Sequence, residues 1–164
     1  MKTIKLLSLM TLMAVLSFSC STEEMPSETI DSSSLVNAPA AKTIEIEILE
    51  LINNHRIEVG LNPLNNLNII KSVAFTHTDY MVEINQVNHD NFFQRKNSLI
   101  QNAGAASVSE NVAYGYSTAQ AVVTAWLNSP SHKQNMEGDY SDFDISAEQN
   151  SEGRWYYTNI FIKK

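Results

Sequence analysis

A single cysteine, Cys20, is all the thiol chemistry the 164-residue chain offers. Whatever folds downstream of it must hold together through its core alone, without disulfides, even in an oxidising compartment. A nucleophilic thiol inside that unit is excluded on the same ground. Positive charge is scarce too: 11 Lys and Arg against 18 Asp and Glu leave a formal net charge of −7. A body of that sign is a poor partner for nucleic acid and is repelled by anionic lipid surfaces. The apolar run from Leu6 to Leu16 is too short to span a bilayer as a mature helix. Neither a Gly-x-Ser-x-Gly elbow nor a glycine-rich phosphate loop occurs, and there is no internal repeat.

What is present begins with an export signal. Lys2 and Lys5 precede the apolar run, and Ser17, Phe18, Ser19 and Cys20 follow it. Residues 1–19 read as a secretory signal peptide and are set aside from fold reasoning. The segment Leu16 to Ser19 before Cys20 resembles a bacterial lipobox, in which the cysteine is acylated and becomes the new N-terminus. An ordinary signal peptide with an incidental cysteine is the alternative. Loss of residues 1–19 removes two lysines and no acid, taking the charge to −9. Attachment to the membrane is then expected through the acyl chains, each buried methylene contributing about 0.8 kcal/mol. Residues 20–42, rich in Ser, Glu, Pro and Ala, read as a disordered tether with a reach of roughly 25 Å. Its start, Ser21-Thr22-Glu23-Glu24, resembles the surface-export signal of Bacteroidetes lipoproteins; a solvated linker is the plain reading.

From Thr43 the pattern turns periodic. Ile44, Ile48, Leu49, Ile52 and Val59 recur at helical spacing, and Gly60 suits a C-terminal cap. The alternation from Ile44 to Ile48 also fits a strand, but its continuation through Leu51 and Ile52 favours helix. Asn62-Pro63 marks a turn. Leu67, Ile70, Ala74, His77, Met81 and Ile84 form the stripe of a helix running from Leu67 to about Val87. Gln94 to Ala103 is a shorter helix closed by Gly104. Ser117 to Gln120 matches a capping box with Ser117 as N-cap, opening a helix that carries Val122, Val123, Trp126 and Leu127. Pro130 suits the first position of another short helix. Phe143, Ile145 and Ala147 then alternate, Asn150 to Gly153 turns, and Arg154 to Ile162, aromatic and β-branched, alternates again as a hairpin partner. Helices followed by a small antiparallel sheet make an α+β fold.

These segments resemble one family in order. Leu51 to Arg56 with Gly60 to Leu64 is similar to the opening helix of bacterial CAP domains, the superfamily of cysteine-rich secretory proteins, antigen 5 and pathogenesis-related protein 1. Ala74 to Met81 resembles the second helix, and His89 follows it. Ser109 to Gly115 resembles the Gly-Glu-Asn signature with Ser109 in place of Gly. Trp126 to Asn135 resembles the bacterial Trp and Ser-Pro-Gly-His segment with Ser131 in place of Gly, and Trp155 to Phe161 resembles the final strand with Asn159 in place of Gln. The resemblance implies a CAP domain over residues 43–164, an α-β-α sandwich around a three- or four-stranded antiparallel sheet.

It also implies a cleft. Many CAP domains place two His and two acids there. His89 matches the first His and Glu110 the Glu, whereas Ser129 stands at the second acid and Tyr156 at the second His. Bacterial members commonly present the Ser-Pro-Gly-His histidine, here His132. The implied set is His89, Glu110 and His132, with Tyr156 lining the cleft. Two imidazoles and a carboxylate suit a divalent metal such as zinc with one open position, or general acid–base chemistry near neutral pH. In the plain structural use, His89 and Glu110 bond to each other and brace their loops. Asn111 is expected to order the loop after Glu110. His77 reads as a core histidine, His55 as solvent-facing, and Trp126, Trp155, Tyr156, Tyr157 and Phe161 as core.

Three functions stay open at this level. One is a non-enzymatic binding module at the outer membrane or cell surface, taking a small apolar ligand, a divalent metal or an envelope partner. A second is a metal-assisted hydrolase of peptide or cell-wall material, with His89 and His132 as ligands and Glu110 activating water. The third is a display scaffold without cleft chemistry.

Overall fold

The computed structural model describes residues 37–164. The signal peptide 1–19, the lipidation candidate Cys20 and most of the tether lie outside the described residues. Among the described residues no helix is long and apolar enough to cross a membrane.

Helix α1 (Thr43–Glu58) leads into a two-residue strand β1 (Asn65–Asn66) and helix α2 (Asn68–Glu83). Helix α3 (Phe92–Ala103), strand β2 (Ser107–Tyr114) and helices α4 (Ala119–Leu127) and α5 (Pro130–Met136) follow. The chain ends in the hairpin β3 (Asp142–Gln149) and β4 (Trp155–Lys163). The sheet order is β1-β3-β4-β2. β4 pairs antiparallel with both β2 and β3, but β1 lies parallel to β3, Asn65 opposite Asp142 and Asn66 opposite Phe143. The α+β expectation therefore holds, while the sheet is mixed rather than purely antiparallel.

Both sheet faces are covered, and strand alternation sorts the cores. Phe143, Ile145, Ala147, Tyr157 and Phe161 point to the face packed by Ile48 and Ile52 of α1, Val122 and Trp126 of α4 and Met136. Ile160 and Ile162 point the other way, against Ile70, Val73 and Ala74 of α2 and Leu99 of α3. A third cluster joins Met81, Val112 and Tyr156. Each large side chain buried this way contributes about 1.5–3 kcal/mol.

Local signals explain most boundaries. Gly60, Gly104 and Gly153 adopt the positive φ values that end α1, end α3 and turn the β3–β4 hairpin. α2 stops at Glu83, earlier than its apolar stripe suggests, because Asn85 turns left-handed at φ 54. Pro130 opens α5 behind Ser129. The capping expectation at α4 shifts by one residue: Thr118 is the N-cap and its Oγ1 accepts the Ala121 N–H at 3.2 Å. Gln120 does not reach back but donates to Thr124. Replacing Thr118 with Ala is expected to cost about 1 kcal/mol in urea unfolding; Ser117→Ala, one residue outside the cap, should change the midpoint little.

Side chains close both rims of the sheet. Beyond Phe143 no strand among the described residues pairs with the outer edge of β3. There Asp144 Oδ1 accepts the Ile145 N–H at 2.9 Å, and Glu45 Oε1 accepts the Ala147 N–H at 2.8 Å. The other Glu45 oxygen takes the Lys71 ammonium at 2.6 Å and the Lys42 N–H at 2.8 Å. On the outer edge of β2, Trp126 Nε1 donates to the Val112 carbonyl at 3.2 Å and Asn135 Nδ2 to that of Glu110, also at 3.2 Å. Buried backbone polar groups need partners, and here tertiary side chains provide them.

Candidate functional site

Glu110 stands in the middle of β2, not in the loop that its sequence neighbourhood suggested. Only Val108, Val112 and Ala113 are apolar across Ser107–Tyr114, so the segment lacks an obvious strand pattern. Pairing with β4 carries it instead, from Ser107 opposite Lys163 to Tyr114 opposite Tyr156. The Glu110 side chain, 1 % exposed, falls on the α2–α3 face.

Both oxygens of its carboxylate are hydrogen-bonded. Oε1 accepts from Arg95 Nη2 at 2.7 Å and lies 2.8 Å from His89 Nδ1. Oε2 accepts from Arg95 Nε at 2.8 Å. This is a bidentate guanidinium–carboxylate pair, with an imidazole on one shared oxygen. Burial alone would raise the Glu110 pKa; His89 and Arg95 outweigh it and hold the carboxyl below the usual range. The expected His89–Glu110 contact is present. Arg95, which completes it, escaped the sequence reading, although a buried carboxylate on a strand demands a cation.

Arg95 also fixes the loop bearing His89. Its Nη1 donates to the Asp90 carbonyl at 2.6 Å. The segment between α2 and α3 carries two left-handed asparagines, Asn85 and Asn91. It is further pinned by Tyr80 Oη on Asp90 Oδ2 at 3.0 Å and by the His77 ring on the Asn88 carbonyl at 2.9 Å. His77 is thus the satisfied core histidine expected; burial, then the charge of Arg95, lowers its pKa. His89 itself leaves the core, its side chain 52 % exposed.

His132 approaches the same strand from the other face. Asn111 Nδ2 donates to the His132 carbonyl at 3.0 Å, and its Oδ1 accepts from Asn135 at 2.9 Å. Asn111 therefore ties α5 to β2 rather than ordering a loop. His132 Nδ1 lies 2.8 Å from Ser129 Oγ, so the serine at the acid position supports the second imidazole. Burial, then the charge of His89, lowers the His132 pKa, leaving the ring neutral at pH 7. Neither Nε2 makes a hydrogen bond among the described residues. Each ring is oriented through Nδ1, with its other nitrogen available.

Two expectations need correction. Tyr156 does not wall an open cleft: it is 1 % exposed, packs with Met81 and Val112, and gives its hydroxyl to Asn85 Oδ1 at 2.8 Å. The strand is covered on both faces, so its aromatics are core. His55 does not face solvent freely, because Nε2 sits 2.8 Å from Glu137 Oε1 and the side chain is 16 % exposed.

Glu110 is held as a brace rather than presented to solvent. Arg95 and His89 orient the Glu110 carboxylate through three hydrogen bonds, and its side chain is 1 % exposed. Among the described residues no three His, Cys, Asp or Glu side chains gather where they could hold a metal ion. What remains is a rim of two imidazoles beside the edge of β2, with Val87 and Phe93 exposed on the elements flanking His89.

Comparison with known proteins places these features. The family model described as CAP: Cysteine-rich secretory protein family matches residues 49–161. The Bacillus subtilis protein called uncharacterized membrane protein YlbC is 32% identical over 126 residues, covering 74% of this chain and 35% of its own length. This chain thus spans about a third of that relative. An outer surface protein from Borrelia burgdorferi superposes with a TM-score of 0.65 at 24% identity, over 71% of this chain and 90% of that one. An extracellular protein containing a SCP domain from Bacillus anthracis str. Ames superposes at 0.63 and 24% identity, over 73% and 40%.

Proposed function

This chain belongs to the CAP family, the cysteine-rich secretory protein family, and from that premise we propose that it is a non-enzymatic binding module of the cell envelope. In this reading residues 1–19 are removed, Cys20 is acylated, residues 20–42 form the tether and residues 43–164 the CAP domain. The names of the similar proteins, a membrane protein and an outer surface protein, support an address at the outer membrane or cell surface.

The observation that carries the reading is the commitment of Glu110 to Arg95 and His89. A carboxylate held by a bidentate arginine and an imidazole is a brace, and it leaves His89 and His132 as the groups able to meet a ligand. The two rings are near enough for the charge of His89 to act on His132, and each keeps its Nε2 for a hydrogen bond. Val87, 40% exposed, and Phe93, 77% exposed, offer apolar area nearby. A small ligand with an apolar body and a polar head matches that combination. The hydrolase reading is less supported, because the Glu110 side chain is 1 % exposed and three hydrogen bonds commit it to Arg95 and His89.

Calorimetry of the mature chain with a saturated fatty acid, a sterol and zinc in parallel is the test. His89→Ala and His132→Ala are each expected to weaken fatty-acid or sterol binding by about tenfold, which is roughly 1.4 kcal/mol. Unchanged binding in both variants removes the two histidines from the role. Binding of zinc alone, lost in both, moves the site to the metal reading.

A further inference from the structure

A concavity lies at the opposite edge of the sheet, independent of the histidine rim. It is a groove of about 620 Å³ where β1 ends and α1 and α2 part around the rim of β3. Its size falls within the range of small-molecule sites. Asp144 forms part of its wall while being only 4% exposed.

The Asp144 carboxylate is incompletely matched. Oδ1 accepts the Ile145 N–H at 2.9 Å. Besides that bond only the Leu67 amide approaches the carboxylate, and among the described residues no cation stands within ion-pair distance. Lys71 is the nearest candidate and is committed to Glu45 at 2.6 Å. Burial drives the Asp144 pKa up to about 6. Lys71 and the backbone amides of Ile145 and Leu67 oppose that shift, and Glu45 adds to it. Glu50 on the groove wall is a further negative charge. Lys71, paired with Glu45, also lines the groove; Asn54, Asn66 and Asn68 are exposed there, and their side chains make no hydrogen bonds among the described residues. A side-chain amide both donates and accepts, which suits hydroxyl groups.

We propose that this groove binds a small polyhydroxylated ammonium compound of the amino-sugar class, its ammonium on Asp144 Oδ2 and its hydroxyls on Asn54, Asn66 and Asn68. The ligand supplies the cation that the buried carboxylate lacks. A lysine side chain shares the ammonium but lacks the hydroxyls.

The test is a nuclear magnetic resonance titration of the mature chain with glucosamine, glucose, N-acetylglucosamine and Nα-acetyl-lysine amide. Glucosamine is expected to shift resonances around Asn66, Lys71 and Asp144 at millimolar concentration, with glucose and N-acetylglucosamine about tenfold weaker or silent. Asp144→Asn should abolish the effect, and His89→Ala should leave it intact. Binding of the wild-type chain should also fall as the pH is lowered from about 7 to about 5, since protonated Asp144 no longer attracts a cation. That arm decides the matter if Asp144→Asn does not fold. Equal response to glucose and glucosamine, retained binding in Asp144→Asn, a flat pH profile, or silence from both amines overturns the proposal. A response to the lysine amide as strong as to glucosamine overturns the amino-sugar assignment.

Discussion

Replacing Arg95 with Ala is expected to lower the unfolding free energy by about 3–5 kcal/mol, a large share of the stability of a domain this size. The change leaves the Glu110 carboxylate buried without its bidentate partner and releases the Asp90 carbonyl that anchors the His89 loop. Urea denaturation measures the loss. The sign of the pH dependence supplies a second readout. In the native chain the Glu110 pKa is depressed, so its stabilisation is present above the unfolded value of about 4.3 and is lost as pH falls through the lower folded value. Without Arg95, burial dominates and the carboxyl takes up a proton at a higher pH than before. The variant should therefore regain part of its deficit on mild acidification, where the native chain gains nothing from this group. A change below about 1 kcal/mol in Arg95→Ala would mean that the pair is solvated and that the brace is not what holds the loop.

Glu45→Ala is the second large effect, again about 3–5 kcal/mol. Glu45 sits near the start of α1 and is 1% exposed, yet it satisfies an amide 102 positions away on β3 and a lysine on α2. Its removal strands the Lys71 ammonium, 8% exposed, and opens the Ala147 N–H. Hydrogen exchange at Ala147 should accelerate more than at Tyr157, whose neighbours on both sides are strands. Glu45→Gln separates the two roles, because it keeps an acceptor for Ala147 while removing the charge facing Lys71.

The two predictions also mark where sequence reading stopped. The stripe through Ile70, Ala74, His77 and Met81 and the alternation along β3 and β4 are local periodicities, and they placed α2 and the final hairpin correctly. The ordered motifs from Leu51 to Phe161 placed the family. His89 beside Glu110 was legible through that resemblance. Arg95, Glu45 and Asp144 were not, because their significance lies in partners 15 to 102 positions distant or, for Asp144, in the lack of one. β1 was invisible for a different reason: two asparagines carry no strand preference, and only the rim of β3 orders them. β2 was missed because its inward positions hold Glu110 and Asn111, polar residues whose burial depends on Arg95 and Asn135. Tyr156 was assigned to an open cleft by position in the family pattern, whereas the packing around β4 encloses it.

The closure of both sheet rims has a consequence for life at high local density. Exposed strand edges recruit other strands and so invite aggregation and domain swapping. In this fold the Glu45, Lys71 and Asp144 side chains occupy one margin, and Trp126 and Asn135 the other. A neighbouring copy finds few unpaired amides or carbonyls there to zip onto. Copies of this domain at high local concentration can then remain separate.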